Sequence, residues 1–124
     1  MIAGTGIDMV DVVRIAEKLA KENGFREKVF STHEISFCES KAKQAEHYAG
    51  HFAAKEAFLK AIGRGLLLDL DLTTIEVQHE TSGKPFLKLT GVFDAFMKEQ
   101  QYAAVHLSIT HTSSMACAMV ILEK

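Results

Sequence analysis

Ala42-Lys-Gln-Ala-Glu-His-Tyr-Ala-Gly-His-Phe-Ala-Ala-Lys-Glu-Ala-Phe-Leu-Lys-Ala-Ile62 is the stretch around which the rest of the chain organises. It is rich in alanine, contains no proline and stops at Gly63-Arg64-Gly65, so it predicts one long helix over 42–62. Phe52, Glu56 and Leu59 are spaced by four and three residues and share one face of that helix. Glu56 therefore sits in an apolar stripe. A buried carboxylate without a cation is costly or becomes protonated. The simplest partner is Lys60, one turn further on.

Upstream, Ile2 to Asp8 is short and apolar and reads as a strand. Val12, Ile15, Ala16 and Leu19 follow at helical spacing, with Asp11 placed to cap the helix and Asn23-Gly24 to stop it. Ser31 and Glu34 form a capping-box pattern that opens a short helix toward Cys38. Downstream, Thr73 to His79 and Phe86 to Leu89 flank the turn Ser82-Gly83-Lys84-Pro85 and predict a hairpin. Val92 to Gln100 predicts a further helix. Val105, Leu107 and Ile109 alternate with His106, Ser108 and Thr110, and Met115 to Leu122 is apolar on both faces, as a central strand would be. The expected fold is α+β: one small domain over 1–124, with an antiparallel sheet packed against a long central helix and shorter ones.

Composition agrees. The chain has 124 residues, 48% hydrophobic and 24% charged, with a net charge of −2. That is a globular balance, not a disordered or fibrous one. It offers no bulk attraction to nucleic acid or to an anionic membrane. Cys38 and Cys117 are too few for a disulfide framework and read as small hydrophobes. The N-terminal stretch lacks the basic region of a signal peptide, and no apolar run is long enough to span a bilayer, so a cytoplasmic protein is expected.

Asp8 ends an apolar strand while Asp11 stands ready for the capping role, which leaves Asp8 free for other work. A carboxylate leaving a strand and another on a helix face suit one hard cation. Mg²⁺ takes one or two protein carboxylates and completes its octahedron with water and substrate phosphates. His106, Ser108 and Thr110 share a strand face, with His111 just beyond; they fit a solvated sheet surface or a phosphate groove equally. His47 and His51 are four residues apart on the helix, but no H-E-x-x-H and no third ligand accompany them. Gly4-Thr5-Gly6 matches neither a P-loop nor a dinucleotide fingerprint.

Four segments occur in order: Gly6-Ile7-Asp8 running to Arg14-Ile15, Phe52-Ala53-Ala54-Lys55-Glu56-Ala57, Gly83-Lys84-Pro85, and His106-Leu107-Ser108-Ile109-Thr110-His111. Together they closely resemble the holo-acyl-carrier-protein synthases, the small stand-alone 4′-phosphopantetheinyl transferases. The resemblance implies an enzyme of fatty acid biosynthesis. It would move the 4′-phosphopantetheine arm of coenzyme A to a serine of apo acyl carrier protein, with Mg²⁺, releasing adenosine 3′,5′-bisphosphate. By the same resemblance, Asp8 and Glu56 are the metal ligands and Lys60 lies near the coenzyme pyrophosphate. The serine proton would leave to Glu56, or to a water held by Mg²⁺ or Asp8.

Gly63-Arg64-Gly65, Gly83-Lys84-Pro85 and His106, Ser108 and His111 match segments lining the coenzyme site. Arg14, with Lys18 and Lys21 on the same helical ridge, matches the basic surface that meets the acidic carrier; Arg26 and Lys28 are further candidates. A homotrimer with its sites between subunits is also implied. Two departures bear on coenzyme affinity: His51 where the family often has arginine, and Arg64 within a glycine turn that is usually Gly-Thr-Gly. Two other readings compete: a coenzyme A- or nucleotide-binding module without chemistry, which predicts loss of a metal carboxylate where this chain has both, and a Mg²⁺-dependent phosphoesterase using the same two acids on another pyrophosphate.

Overall fold

The computed structural model describes residues 1–63 and 70–124. Strand β1 (Ile2–Asp11) leads directly into α1 (Val12–Ala20). A short helix α2 (Phe25–Val29) and α3 (Thr32–Glu39) follow, and then the long α4 (Gln44–Ala61). A 3-10 turn at Leu72–Thr74 opens the hairpin of β2 (Ile75–His79) and β3 (Pro85–Leu89). Helix α5 (Gly91–Glu99) precedes β4 (Ala104–His111) and β5 (Met115–Glu123).

All the strand pairings are antiparallel, but the strands divide into two sheets, β1-β5-β4 and β2-β3. The apolar-both-faces strand β5 is central, as its composition predicts. Its Ala116, Ala118, Val120 and Leu122 are buried on the face toward α4. Small residues there let the helix lie close to the sheet. Gly6 is the tightest point: a Cβ at this position would come within 2.8 Å of the Ala61 nitrogen and closer still to the Ala57 carbonyl. Glycine is thus required for backbone proximity and not for an unusual dihedral.

Helix α4 is buried on most of its circumference, with Tyr48, Ala49, Ala53, Ala54, Ala57, Phe58 and Leu59 all in the core. This explains why its apolar pattern gives no clean stripe. Three local expectations change. Strand β1 runs on to Asp11, which occupies the cap position of α1 without a side-chain cap bond, so Asp8 lies within a strand and not at its exit. Gly24, at φ 92°, both ends the turn after α1 and starts α2, a one-turn helix too short to leave a periodic signature. The region 73–79 begins as a 3-10 turn, because Asp71 caps Thr73 before the strand starts. The Ser31–Glu34 capping box forms as expected.

Candidate functional site

Period-two alternation turns Gly6, Asp8 and Val10 of β1 toward α4, while Thr5, Ile7 and Met9 face away and are exposed. Asp8 therefore meets the C-terminal half of α4. Lys60 Nζ donates to Asp8 Oδ1 at 3.0 Å and to the Ile7 carbonyl at 3.0 Å. The lysine does not pair with Glu56 one turn back. Crossing to the strand captures a carboxylate and a carbonyl together, which the helix surface alone does not offer.

Glu56 is half-buried, and its Oε1 is a buried oxygen with no hydrogen-bond partner. Burial, and then the charge of Asp8, push its carboxyl above the usual range, against a smaller opposing pull from Lys60 and Lys18. Asp8 and Glu56 line one cavity of about 300 Å³, whose wall also carries Arg14 and Lys18 from α1. Two carboxylates, one with an idle oxygen, fit a hard oxygen-seeking cation such as Mg²⁺. Among the described residues no set of three or more His, Cys, Asp or Glu forms a metal site, so a cation here takes its remaining ligands from water or substrate.

A second, larger cavity of about 440 Å³ lies against the N-terminal half of α4. Its wall includes Phe37, His47, His51, His79, His111 and the Gly83 and Pro85 turn. No described residue lines both cavities. His51 is 2% exposed, with Nδ1 2.9 Å from Glu34 Oε2. Glu34 also accepts from Lys55 at 2.6 Å and from the Ser31 amide at 3.1 Å. Lys55, fully buried, donates further to the carbonyls of Leu72 at 2.9 Å and Ile75 at 2.6 Å. Burial raises the Glu34 carboxyl, but the His51 bond and the Lys55 charge more than reverse this and hold it below the usual range.

The profile of the 4′-phosphopantetheinyl transferase superfamily matches residues 4–120. The chain belongs to that superfamily. It is a transferase. A holo-[acyl-carrier-protein] synthase of Syntrophus aciditrophicus is 44% identical over 99% of this chain and 97% of its own. The crystal structure of the Neisseria meningitidis holo-[acyl-carrier-protein] synthase superposes with a TM-score of 0.91 at 30% identity, covering all of both chains. That of Bacillus anthracis, in complex with CoA (3′,5′-ADP), gives 0.82 at 35% identity, covering 100% of this chain and 98% of its own.

In this transferase the other expected site residues separate. Gly83 ends the β2–β3 turn at φ 92°, and with Pro85 and His111 it borders the histidine cavity, whereas Lys84 is exposed outside that wall. His111 Nδ1 is 2.8 Å from Glu46 Oε1. His106 and Ser108 have the opposite parity and lie on the sheet face turned away from α4, where His106 pairs with Glu123. Gly63, at φ 76°, terminates α4 with its amide bonded to the Lys60 carbonyl. Arg64 and Gly65 lie outside the described residues. Arg14, Lys18 and Lys21 are exposed along α1, and Lys28 is also exposed. Arg26 is engaged with Glu39 at 3.2 Å.

The residues that sequence reasoning missed are Glu34, seen only as a cap, and Lys55, hidden beside Glu56. Their signal was a lysine within an alanine run that supplies no water-facing side.

Proposed function

We propose that this transferase is a Mg²⁺-dependent holo-acyl-carrier-protein synthase of fatty acid biosynthesis. It passes the phosphopantetheine arm of coenzyme A to a serine of an apo acyl carrier protein and releases adenosine 3′,5′-bisphosphate. The observation that carries this reading is the pair Asp8 and Glu56 in one cavity, with an unpartnered Glu56 oxygen and the cationic Arg14 and Lys18 on the same wall. Complexes of related synthases with coenzyme A support the choice of donor.

Asp8 and Glu56 would hold the cation, whose chemistry when bound is to offset charge on the pyrophosphate. Lys60, hydrogen-bonded to Asp8 and half-exposed, keeps that carboxylate oriented and presents a positive charge to the same pyrophosphate. In the transfer, the serine oxygen forms a bond to the phosphorus bearing pantetheine, and the bond from that phosphorus to the departing nucleotide oxygen breaks. The serine proton leaves through Glu56, directly or by an intervening water.

The other sheet face supports an assembly of several copies. Ile7 and Met9 of β1 and Met119 of β5 are 61%, 65% and 42% exposed on the side away from α4. Their burial against further copies makes a homotrimer. It also brings the cation cavity of one copy toward the histidine cavity, or the His106 and Ser108 face, of the next. Arg14, Lys18 and Lys21 then face the acidic carrier. A cytoplasmic location follows from the coenzyme and carrier substrates; among the described residues no helix is long and apolar enough to cross a membrane.

The test is intact mass spectrometry of apo acyl carrier protein incubated with this protein, coenzyme A and Mg²⁺, alongside an EDTA control. A gain of one phosphopantetheine that EDTA abolishes is expected. No gain with coenzyme A cleaved would make the protein a phosphoesterase, and no gain with coenzyme A intact a binding module.

A further inference from the structure

The histidine cavity has a feature that the transfer chemistry does not use. His47, His51, His79 and His111 all border it, and the ring of Phe37 organises three of them. Phe37 stacks on His79 at 4.1 Å and on His51 at 5.4 Å, and meets His47 edge-on at 5.8 Å. His47 and His111 rings are 5.1 Å apart. His51 Nε2 and His79 Nδ1 are buried nitrogens without partners. Four imidazoles in one wall can carry much or little charge, according to what occupies the space between them.

We propose that this cavity is a proton-linked anion site: its histidines take up a proton from solvent when a phosphate monoester dianion enters. The proposal rests on the coenzyme A reading above, since that donor carries a phosphate monoester on its ribose.

Hydrogen bonding supplies the first argument. Glu34 is an ionised carboxylate, so His51 must donate its Nδ1 proton to it. In the neutral ring Nε2 is then a bare lone pair facing the cavity, which repels an anion. Only a ring that gains a proton at Nε2 becomes a donor toward a phosphate oxygen. The Glu34 charge is already balanced by Lys55, so an added imidazolium charge finds its compensation in the ligand.

The second argument is electrostatic. Burial, then the neighbouring cationic groups His51, Lys41, His47 and His33, push His79 down to about 4. Burial, then His111, Lys41 and His51, also lower His47, with Glu46 opposing. His47 and His79 thus resist protonation in the empty site. A dianion reverses that bias. Two further carboxylates border the space. Glu46 is occupied by His111 at 2.8 Å and approached by Lys43 at 4.0 Å, while Glu80 is exposed on the β2–β3 turn. Lys41, from the connection between α3 and α4, is the one lysine among the lining residues. Most of the positive charge that a dianion needs must therefore arrive as protons.

The sign is fixed by this linkage. Ligand-bound histidines hold protons more tightly than empty ones, so affinity falls as pH rises through the ordinary imidazole range near about 6.5 and beyond. Uptake of one proton corresponds to roughly a tenfold weakening per pH unit. Below about pH 6 the monoester itself begins to lose its second charge, which sets the lower edge of the effect.

Isothermal titration calorimetry of the intact protein with coenzyme A and with 3′-dephospho-coenzyme A tests this, at pH 6.5, 7.2 and 8.0, in buffers of different ionisation enthalpy. Coenzyme A should bind with net proton uptake and weaken by about tenfold per pH unit, while the dephosphorylated analogue shows neither. The H47Q/H79Q variant should reduce uptake and flatten the slope. Inorganic phosphate as a third probe separates recognition of the bare anion from recognition of the nucleotide: competition with coenzyme A that weakens in parallel with rising pH supports the anion site. Tight coenzyme A binding with no buffer or pH dependence would overturn the proposal and leave the transferase reading standing. Equal uptake with both coenzymes would also overturn it. Absence of coenzyme A binding at every pH would overturn both.

Discussion

Glu56 combines a buried oxygen without a hydrogen-bond partner and a carboxyl raised by burial and by Asp8, a state that costs folding free energy. Glu56→Gln should lower transfer by about 10²-fold or more, the range for losing one electrostatic stabiliser at a reacting centre. It should at the same time raise the melting temperature of the metal-free protein by a few degrees and abolish any stabilisation by Mg²⁺; thermal melts with and without the metal check both. Glu34 is the opposite case. Its carboxyl lies below the ordinary value of 4.5, so the stability it contributes is complete above that pH and is lost as pH falls through the lower folded value. Circular dichroism melts from pH 6 to pH 2.5 should show that loss. Lys55→Met should cost about 3–5 kcal/mol by removing the lysine charge that balances the buried Glu34. Asp8 and Glu56 were legible because each interrupts an apolar pattern. Glu34 was not, because a capping box already explained it, and a residue with two roles advertises only the local one.

At the scale of elements, the sequence carried type and order well and partnership poorly. The long helix, the capping box and the central character of β5 were all readable from composition and spacing. The division into two sheets was not, since alternation specifies which face a residue takes but not which strand lies alongside. The same limit separated His106 and Ser108 from His111: their parity was visible, and the location of the helix behind the sheet was not. Gly6 had no visible reason to be glycine until α4 was seen lying on it. Gly6→Ala places a methyl against backbone at Ala57 and Ala61, which a rotamer change cannot relieve. The variant should lose at least the roughly 1–3 kcal/mol of ordinary overpacking, measured by urea unfolding. Because β1 must move away from α4, transfer should fall further than the loss of folded protein explains.

For the whole molecule, Ile7, Met9 and Met119 leave an apolar patch exposed on the sheet face away from α4, which the proposed homotrimer would cover. Ile7→Asp, at an exposed position bordering neither cavity, should convert a trimer to monomers in light scattering and weaken coenzyme A binding. Carrier recognition belongs to the same scale. Arg14→Ala should raise KM for the carrier several-fold and more steeply at low salt, leaving coenzyme A affinity nearly unchanged. Equal damage to both substrates would give Arg14 a structural role instead. The chain's path through the sheet adds a consequence for biosynthesis. Strand β1, which carries Asp8, has β5 as its sole partner within the described sheets, and β5 is the strand furthest from it in the chain. During translation β1 and α4 are both released long before β5 exists to close the sheet, so such distant pairing forms late and slowly. The pairing that holds Asp8 in place opposite Glu56 therefore waits for a distant strand, and the cavity those two carboxylates share is complete only once β5 has joined the sheet.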